Sequence, residues 1–205
     1  MELAFLLKGL LIGLSIAAPV GPIGVLCIRR TLAHGRVVGL VSGLGAATAD
    51  GIYGLIAGFG LTVITNFLIG QHFWIQLIGG IFLCYLGVKT LMSKASYTQT
   101  ETQKKNMRNA FLSVLFLTLT NPMTILSFIA IFAGLGISNT SSNLISSVVL
   151  VIGVFCGSTL WWVILSSGVG LFRKKITNKS LTVINRLSGL IILIFGGIAL
   201  YEIIK

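Results

Sequence analysis

Apolar residues run along this chain in long blocks and do not alternate with polar ones. Six blocks, at roughly 3–28, 37–65, 73–92, 110–136, 144–170 and 187–204, approach or exceed the length a helix needs to cross a bilayer core. That length is about 20 residues for a core of roughly 30 Å. In lipid every backbone polar group must bond within its own segment, so such blocks predict helices. A membrane barrel would alternate apolar and polar positions along short strands. The expected fold is an all-α membrane protein with six transmembrane helices.

The polar positions divide these blocks evenly. The one long hydrophilic stretch, SKASYTQTETQKKNMRN at 93–109, separates residues 1–92 from residues 110–205, with three spans on each side. An odd number of spans per half requires any structural repeat to be inverted in the membrane, a common transporter plan. The third span, LIGGIFLCYLGVKTL from Leu77, aligns without a gap on the sixth, LSGLIILIFGGIALY from Leu187. Gly79 then meets Gly189, and Gly87 meets Gly197. Two inverted three-helix repeats joined by a cytoplasmic loop are therefore expected. Gly9 and Gly13, Gly39 and Gly43, and Gly54 and Gly58 are small residues four apart, which lets helix backbones approach. They serve packing within the chain or, alternatively, a homodimer face.

Composition agrees: 55% of the 205 residues are hydrophobic and 9% are charged, against about 25% charged in a soluble domain. The net charge of +11 would suit nucleic acid, but its placement does not. Thirteen of the fifteen Lys and Arg residues fall in alternate connections. Arg29, Arg30 and Arg36 follow the first span; Lys89, Lys94, Lys104, Lys105 and Arg108 surround the central segment; Arg173, Lys174, Lys175, Lys179 and Arg186 precede the sixth span. The connections near 66–72 and 137–143 carry none. This positive-inside pattern predicts a multi-pass protein of the cytoplasmic membrane with both termini outside the cytoplasm, reinforced by anionic lipid. The first span starts with Glu2 in place of a basic region and exceeds a signal-peptide core, so it is expected to be kept.

Catalytic signatures are missing. Cys27, Cys84 and Cys156 are scattered and suit neither a disulfide framework nor zinc. His34 and His72 sit at loop edges, and there is no Ser-His-Asp, HExxH, Walker or GxGxxG pattern. The Asn178-Lys179-Ser180 sequon falls on the cytoplasmic side. Neither an enzyme nor a bound cofactor is expected, and proton or cation coupling is the remaining requirement.

The chemistry lies inside the spans. All three prolines interrupt them: Pro19 and Pro22 in AAPVGPIG of span one, and Pro122 in LTNPMTI of span four. Proline removes a backbone donor and clashes with the preceding turn, so the first span of each half should break. Interrupted segments at corresponding positions mark a transporter's binding site. Asp50, in GLGAATADGIYG of span two, is the one acidic residue away from a span end. A carboxylate at that depth costs a few kcal/mol and usually marks a pathway or proton relay. Asp50 lies 14 residues from Arg36, and Pro122 lies 14 from Arg108, about 21 Å at 1.5 Å per residue. Pro19 lies about 15 Å from Arg29 on the same scale. The carboxylate and both breaks converge near mid-membrane.

Such a constellation suits a zwitterion. Asp50 can hold an ammonium group, and N–H groups freed at a helix break can hold a carboxylate. Gly21, Asn121 and Thr48 are the candidate neighbours. Trp161 and Trp162 serve aromatic packing or line a cavity. A divalent metal would want several carboxylate, imidazole or thiolate ligands, and the spans offer one Asp and no His. An intramembrane enzyme would need a nucleophile–base pair or paired carboxylates. A non-transporting assembly protein would leave the buried Asp without a purpose.

At these residues the sequence resembles the LysE/RhtB family of amino-acid exporters. The likeness rests on APVGPIG, on RRTLAHGRVVGLVSGLGAATAD and on LTNPMTI, in that order and spacing, and it covers essentially the whole chain. The first motif has PVGP where many relatives have PGP. The resemblance implies a bacterial inner-membrane exporter of amino acids or related metabolites, driven by proton-motive force. By motif it implies roles for Pro19, Gly21, Pro22, Asp50, Asn121 and Pro122. Related branches export metal ions, which is the alternative it leaves open.

Overall fold

The computed structural model describes residues 2–19, 21–58, 70–92, 103–134, 144–172 and 177–204. Among them the regular structure is helical: α1 (Glu2–Ala17), α2 (Pro22–His34), α3 (Arg36–Gly58), α4 (His72–Leu91), α5 (Gln103–Leu119), α6 (Pro122–Gly134), α7 (Leu144–Phe172) and α8 (Asn178–Ile204). α3, α4, α7 and α8 are each long and apolar enough to cross a membrane. The pairs α1–α2 and α5–α6 meet the same test jointly, bent by 81° and 58° at their breaks. The central segment to residue 102 and the end of the second span lie outside the described residues.

Helix ends and hydropathy boundaries do not coincide. Arg29 and Arg30, expected in a connection, sit inside α2, which runs on to His34. Gly35 then ends it with φ of 103°, a conformation glycine adopts without a Cβ penalty. α5 starts at Gln103 within the hydrophilic stretch, and α8 starts at Asn178 rather than 187. The Thr177 hydroxyl caps that end by accepting from the Ser180 N–H at 3.2 Å. Hydropathy marks where lipid begins, whereas Lys, Arg and Gln are good helix formers and carry a helix past that point.

α3 and α7 form the centre, packed against each other. α1 lies along α7 and α5 along α3, while α4 and α8 pair at the side, with α2 wedged among α3, α7 and α8. Directions follow from matched residues. Glu2 meets Ser146 and Gly9 meets Gly153, so α1 and α7 run parallel. Tyr53 meets Leu119 and Gly45 meets Phe111, so α3 and α5 also run parallel. α3 and α7 are antiparallel, as are α4 and α8. Large apolar side chains such as Leu7, Ile81, Ile164 and Ile194 point outward, as a lipid-facing surface requires. Buried Ala46, Ala47, Val114 and Ile192 fill the interior.

Glycine sets the spacing of two of these pairs. On the α1–α7 seam a Cβ at Gly13 would strike the Val154 carbonyl, and one at Gly157 would strike the Leu10 carbonyl. Between α4 and α8, Gly80 faces Gly196 and Gly87 faces Gly189. Gly80 and Gly189, and likewise Gly87 and Gly196, are 109 positions apart. The glycines that exchange places across this pair are thus one residue out of step with the Gly79–Gly189 and Gly87–Gly197 alignment. Gly79 turns instead toward Thr120, and Gly197 faces open space.

These contacts separate the glycines by sign. Gly13→Ala or Gly157→Ala forces α1 and α7 apart, with an expected loss of about 1–3 kcal/mol. Gly197→Ala meets nothing and should be neutral or gain up to about 1 kcal/mol. Thermal unfolding of purified protein in one detergent compares the three.

Candidate substrate and coupling site

Asp50 sits two-thirds of the way along α3, on the face turned to α7, and is 3% exposed. The Ser158 hydroxyl donates to its Oδ2 at 2.6 Å, and the Trp162 indole Nε1 donates to Ser158 Oγ at 3.2 Å. Ser158 and Trp162 are one turn apart on α7, so they form a short relay ending on the carboxylate. The same turn of α7 carries the backbone against which Gly13 of α1 rests, and the Trp162 side chain fills the space left by Gly43. Three helices therefore close around Asp50 because two of them are glycine there.

One turn beyond Asp50, Tyr53 serves the second broken span. Its hydroxyl donates to the Leu119 carbonyl at 2.6 Å, in the last turn of α5. Its ring packs on Phe128 of α6, with centroids 5.6 Å apart. A single face of α3 thus holds the carboxylate and anchors both sides of the α5–α6 break.

The two breaks are built alike and finished differently. Each second half-helix begins on a proline, Pro22 in α2 and Pro122 in α6. That position suits proline, whose missing N–H has no helical partner there anyway. Asn121 caps α6: its Oδ1 accepts from the Met123 N–H at 3.2 Å and its Nδ2 donates to Thr124 Oγ1 at 3.0 Å. Gly21 precedes α2 in an extended conformation and offers no side-chain cap. Pro19 lies in the link, where its carbonyl accepts from the Gly21 N–H at 3.0 Å. The first turn of α2 therefore keeps the donor character of an uncapped helix start.

Of the residues singled out from sequence, Asp50 is buried on α3, and Pro22 and Pro122 each open the second helix of a bent pair. Asn121 has its amide engaged in capping. Thr48 is not brought to Asp50: two positions away it turns to another side of α3, and its hydroxyl donates to the Leu44 carbonyl at 2.8 Å. Trp161 is half-buried packing, whereas Trp162 carries a polar contact. Ser158 and Tyr53 were not singled out. Tyr53 was within reach as the polar-tipped residue three after Asp50; Ser158 had no mark separating it from the other serines of α7. Among the described residues, no three His, Cys, Asp or Glu side chains gather as a metal site.

Broken membrane-length helices around a buried carboxylate define a multi-pass membrane protein of transporter type. The family model for LysE type translocators matches residues 14–203, and the chain belongs to that family of membrane transporters. It is 29% identical to the "Putative amino acid efflux protein YcgF" of Bacillus subtilis (strain 168), over 97% of this chain and 96% of that one. It is 27% identical to the uncharacterized membrane protein YrhP of the same organism, over 84% and 87% of the two chains. It is also 27% identical to the uncharacterized membrane protein YahN of Escherichia coli (strain K12), over 85% and 79%. No solved structure matches the chain.

Tyr53→Phe removes only the donor that satisfies Leu119 beside the break. Leaving a carbonyl unpaired in apolar surroundings costs about 1–3 kcal/mol, so the variant should melt earlier with unchanged helix content. Circular dichroism followed through thermal unfolding reads both quantities.

Proposed function

We propose that this chain is a secondary transporter that exports amino acids or similar small zwitterions across the cytoplasmic membrane, driven by proton-motive force. The observation that carries this reading is the buried Asp50 carboxylate, held between α3 and α7 beside a broken helix. In the proposed cycle Asp50 exchanges a proton for the cargo's ammonium group. The uncapped start of α2 receives the cargo's carboxylate, since N–H groups at a helix start carry partial positive charge. Membership of a translocator family and the likeness to a protein named for amino-acid efflux support the cargo and the direction.

Six spans arranged as inverted repeats fit the packing. Counting each bent pair as one span gives α1–α2, α3 and α4 in the first half, and α5–α6, α7 and α8 in the second. The observed parallel and antiparallel pairings agree with six alternating crossings. Exchanging the halves turns the α1–α7 contact into the α5–α3 contact, and it maps α3–α7 and α4–α8 onto themselves. With the basic end inside, by the positive-inside rule, both termini lie outside.

Efflux of preloaded labelled amino acids from cells with wild-type protein, Asp50→Asn or empty vector tests the reading. Wild type should speed the loss of one class of amino acid, and a protonophore should abolish the gain. Asp50→Asn should insert normally and lose at least about tenfold of the coupled rate, a change worth about 1.4 kcal/mol. Normal coupled export by that variant would remove Asp50 from the mechanism.

A further inference from the structure

Arg30 of α2 is hydrogen-bonded to neutral groups. The Arg30 guanidinium donates through Nη1 to Ser42 Oγ of α3 at 3.0 Å and to the Ala110 carbonyl of α5 at 2.9 Å. Its Nη2 donates to Ser113 Oγ of α5 at 2.8 Å. The neighbouring Arg29 reaches the other way, with Nε donating to Asn185 Oδ1 of α8 at 2.9 Å. The three Arg30 acceptors, Ser42, Ala110 and Ser113, are uncharged. The chain has four acidic residues in total, and the three described ones are engaged elsewhere: Glu2 with Ser146, Asp50 with Ser158, Glu202 with Gln76.

A guanidinium drawn from water onto neutral acceptors meets a desolvation cost with no opposite charge to offset it. Its planar fork matches a carboxylate in bidentate geometry, and charge-assisted hydrogen bonds are roughly twice as strong as neutral ones. The acceptors are also arranged to let go. The Ser42 hydroxyl already donates to the Val38 carbonyl at 2.9 Å, and Ser113 donates to the Ala110 carbonyl at 3.2 Å. When Arg30 leaves, each hydroxyl keeps a partner on its own helix, and the Ala110 carbonyl keeps Ser113.

We infer that Arg30 is a carboxylate receptor near the basic end of the bundle, and that cargo binding there releases α2 from α3 and α5. This rests on the reading of the chain as an exporter of amino acids and narrows it: the cargo must bear a free carboxylate. Ser42 and Asp50 are eight residues apart on α3, or about 12 Å along the helix. The two charges of one α-amino acid lie much closer together than that. Arg30 and Asp50 are therefore successive stations: the first takes the carboxylate and unlatches the bundle, and the second takes the ammonium group deeper in.

Cys27 reports the latch. It lies one turn before Arg30, fully buried within the central apolar cluster, so a maleimide reaches it only when the helices around it move. In protein with Cys84→Ser and Cys156→Ser in nanodiscs, the measurement is the rate of Cys27 labelling by N-ethylmaleimide. The additives are a mixture of the common amino acids, cysteine omitted, and the same mixture as carboxamides. The acids should raise the rate by about tenfold, as ~1.4 kcal/mol of differential binding does, and the carboxamides should not. Arg30→Gln should label fast without additive and respond to neither mixture. An equal response to acids and carboxamides, or an Arg30→Gln variant that keeps the wild-type response, would overturn the assignment. If Arg30→Gln does not fold, Ser42→Ala with Ser113→Ala loosens the latch and keeps the guanidinium. That variant should respond at lower amino-acid concentration, and a higher requirement would overturn the assignment. Efflux of the same mixture is read in parallel. Efflux by wild type without acid-dependent labelling sinks the Arg30 role alone, whereas no efflux and no labelling sinks the exporter reading with it.

Discussion

A helix that stops inside a membrane frees carbonyl and amide groups where no water can take them, and most of this architecture answers that constraint. An unpaired backbone group in hydrocarbon costs several kcal/mol, so a broken span persists only where other helices supply partners. At the α5–α6 break, Asn121 takes the freed amide, Pro122 removes one, and Tyr53 supplies the hydroxyl that the Leu119 carbonyl needs. Tyr53 can reach that carbonyl because α3 lies directly along α5, an approach that Gly45 permits at the Phe111 carbonyl. The break, the glycine and the tyrosine form one device. Removing any of the three leaves the other two without a purpose.

The α1–α2 break is finished less completely, and the difference has a chemical meaning. Asn121 spends its side chain on the helix it begins, whereas Gly21 has none to spend. One break is capped by a side chain, and the other is not. The close seam between α1 and α7 brings Gly13 of α1 against the backbone of Ser158, the Asp50 donor.

Much of this could be read from the sequence, and what could not has a physical reason. Three prolines and one acidic residue in spans with almost no other polar breaks stand out, because lipid makes each of them costly. The spans themselves follow from hydropathy. Hydropathy is blind to helix continuation, however, so Arg29 and Arg30 read as connection residues when they belong to α2. It is equally blind to facing. Thr48 and Asp50 are neighbours in sequence and lie on different sides of α3, and Ser158 becomes the Asp50 donor only through the antiparallel register of α3 and α7. The glycine register shows the same limit: a one-residue shift is invisible in a glycine-rich string and decides which glycines meet.

The side-chain bonds between distant helices share one more property. Arg29 to Asn185, Arg30 to Ala110 and Ser113, Asp50 to Ser158, Tyr53 to Leu119, Gln76 to Glu202 and Glu2 to Ser146 each join a helix before residue 93 to one after residue 102. They occur at the basic end, in the middle and at the opposite end. Interiors repack between discrete arrangements rather than deforming continuously. The two halves of the chain are therefore latched to each other at both ends and across the centre. Separating the halves at one end means breaking that end's set while the central pair stays made. The end sets differ in kind: Arg30 at the basic end donates to hydroxyls and a carbonyl, whereas Glu202 and Glu2 at the other end accept from an amide and a hydroxyl.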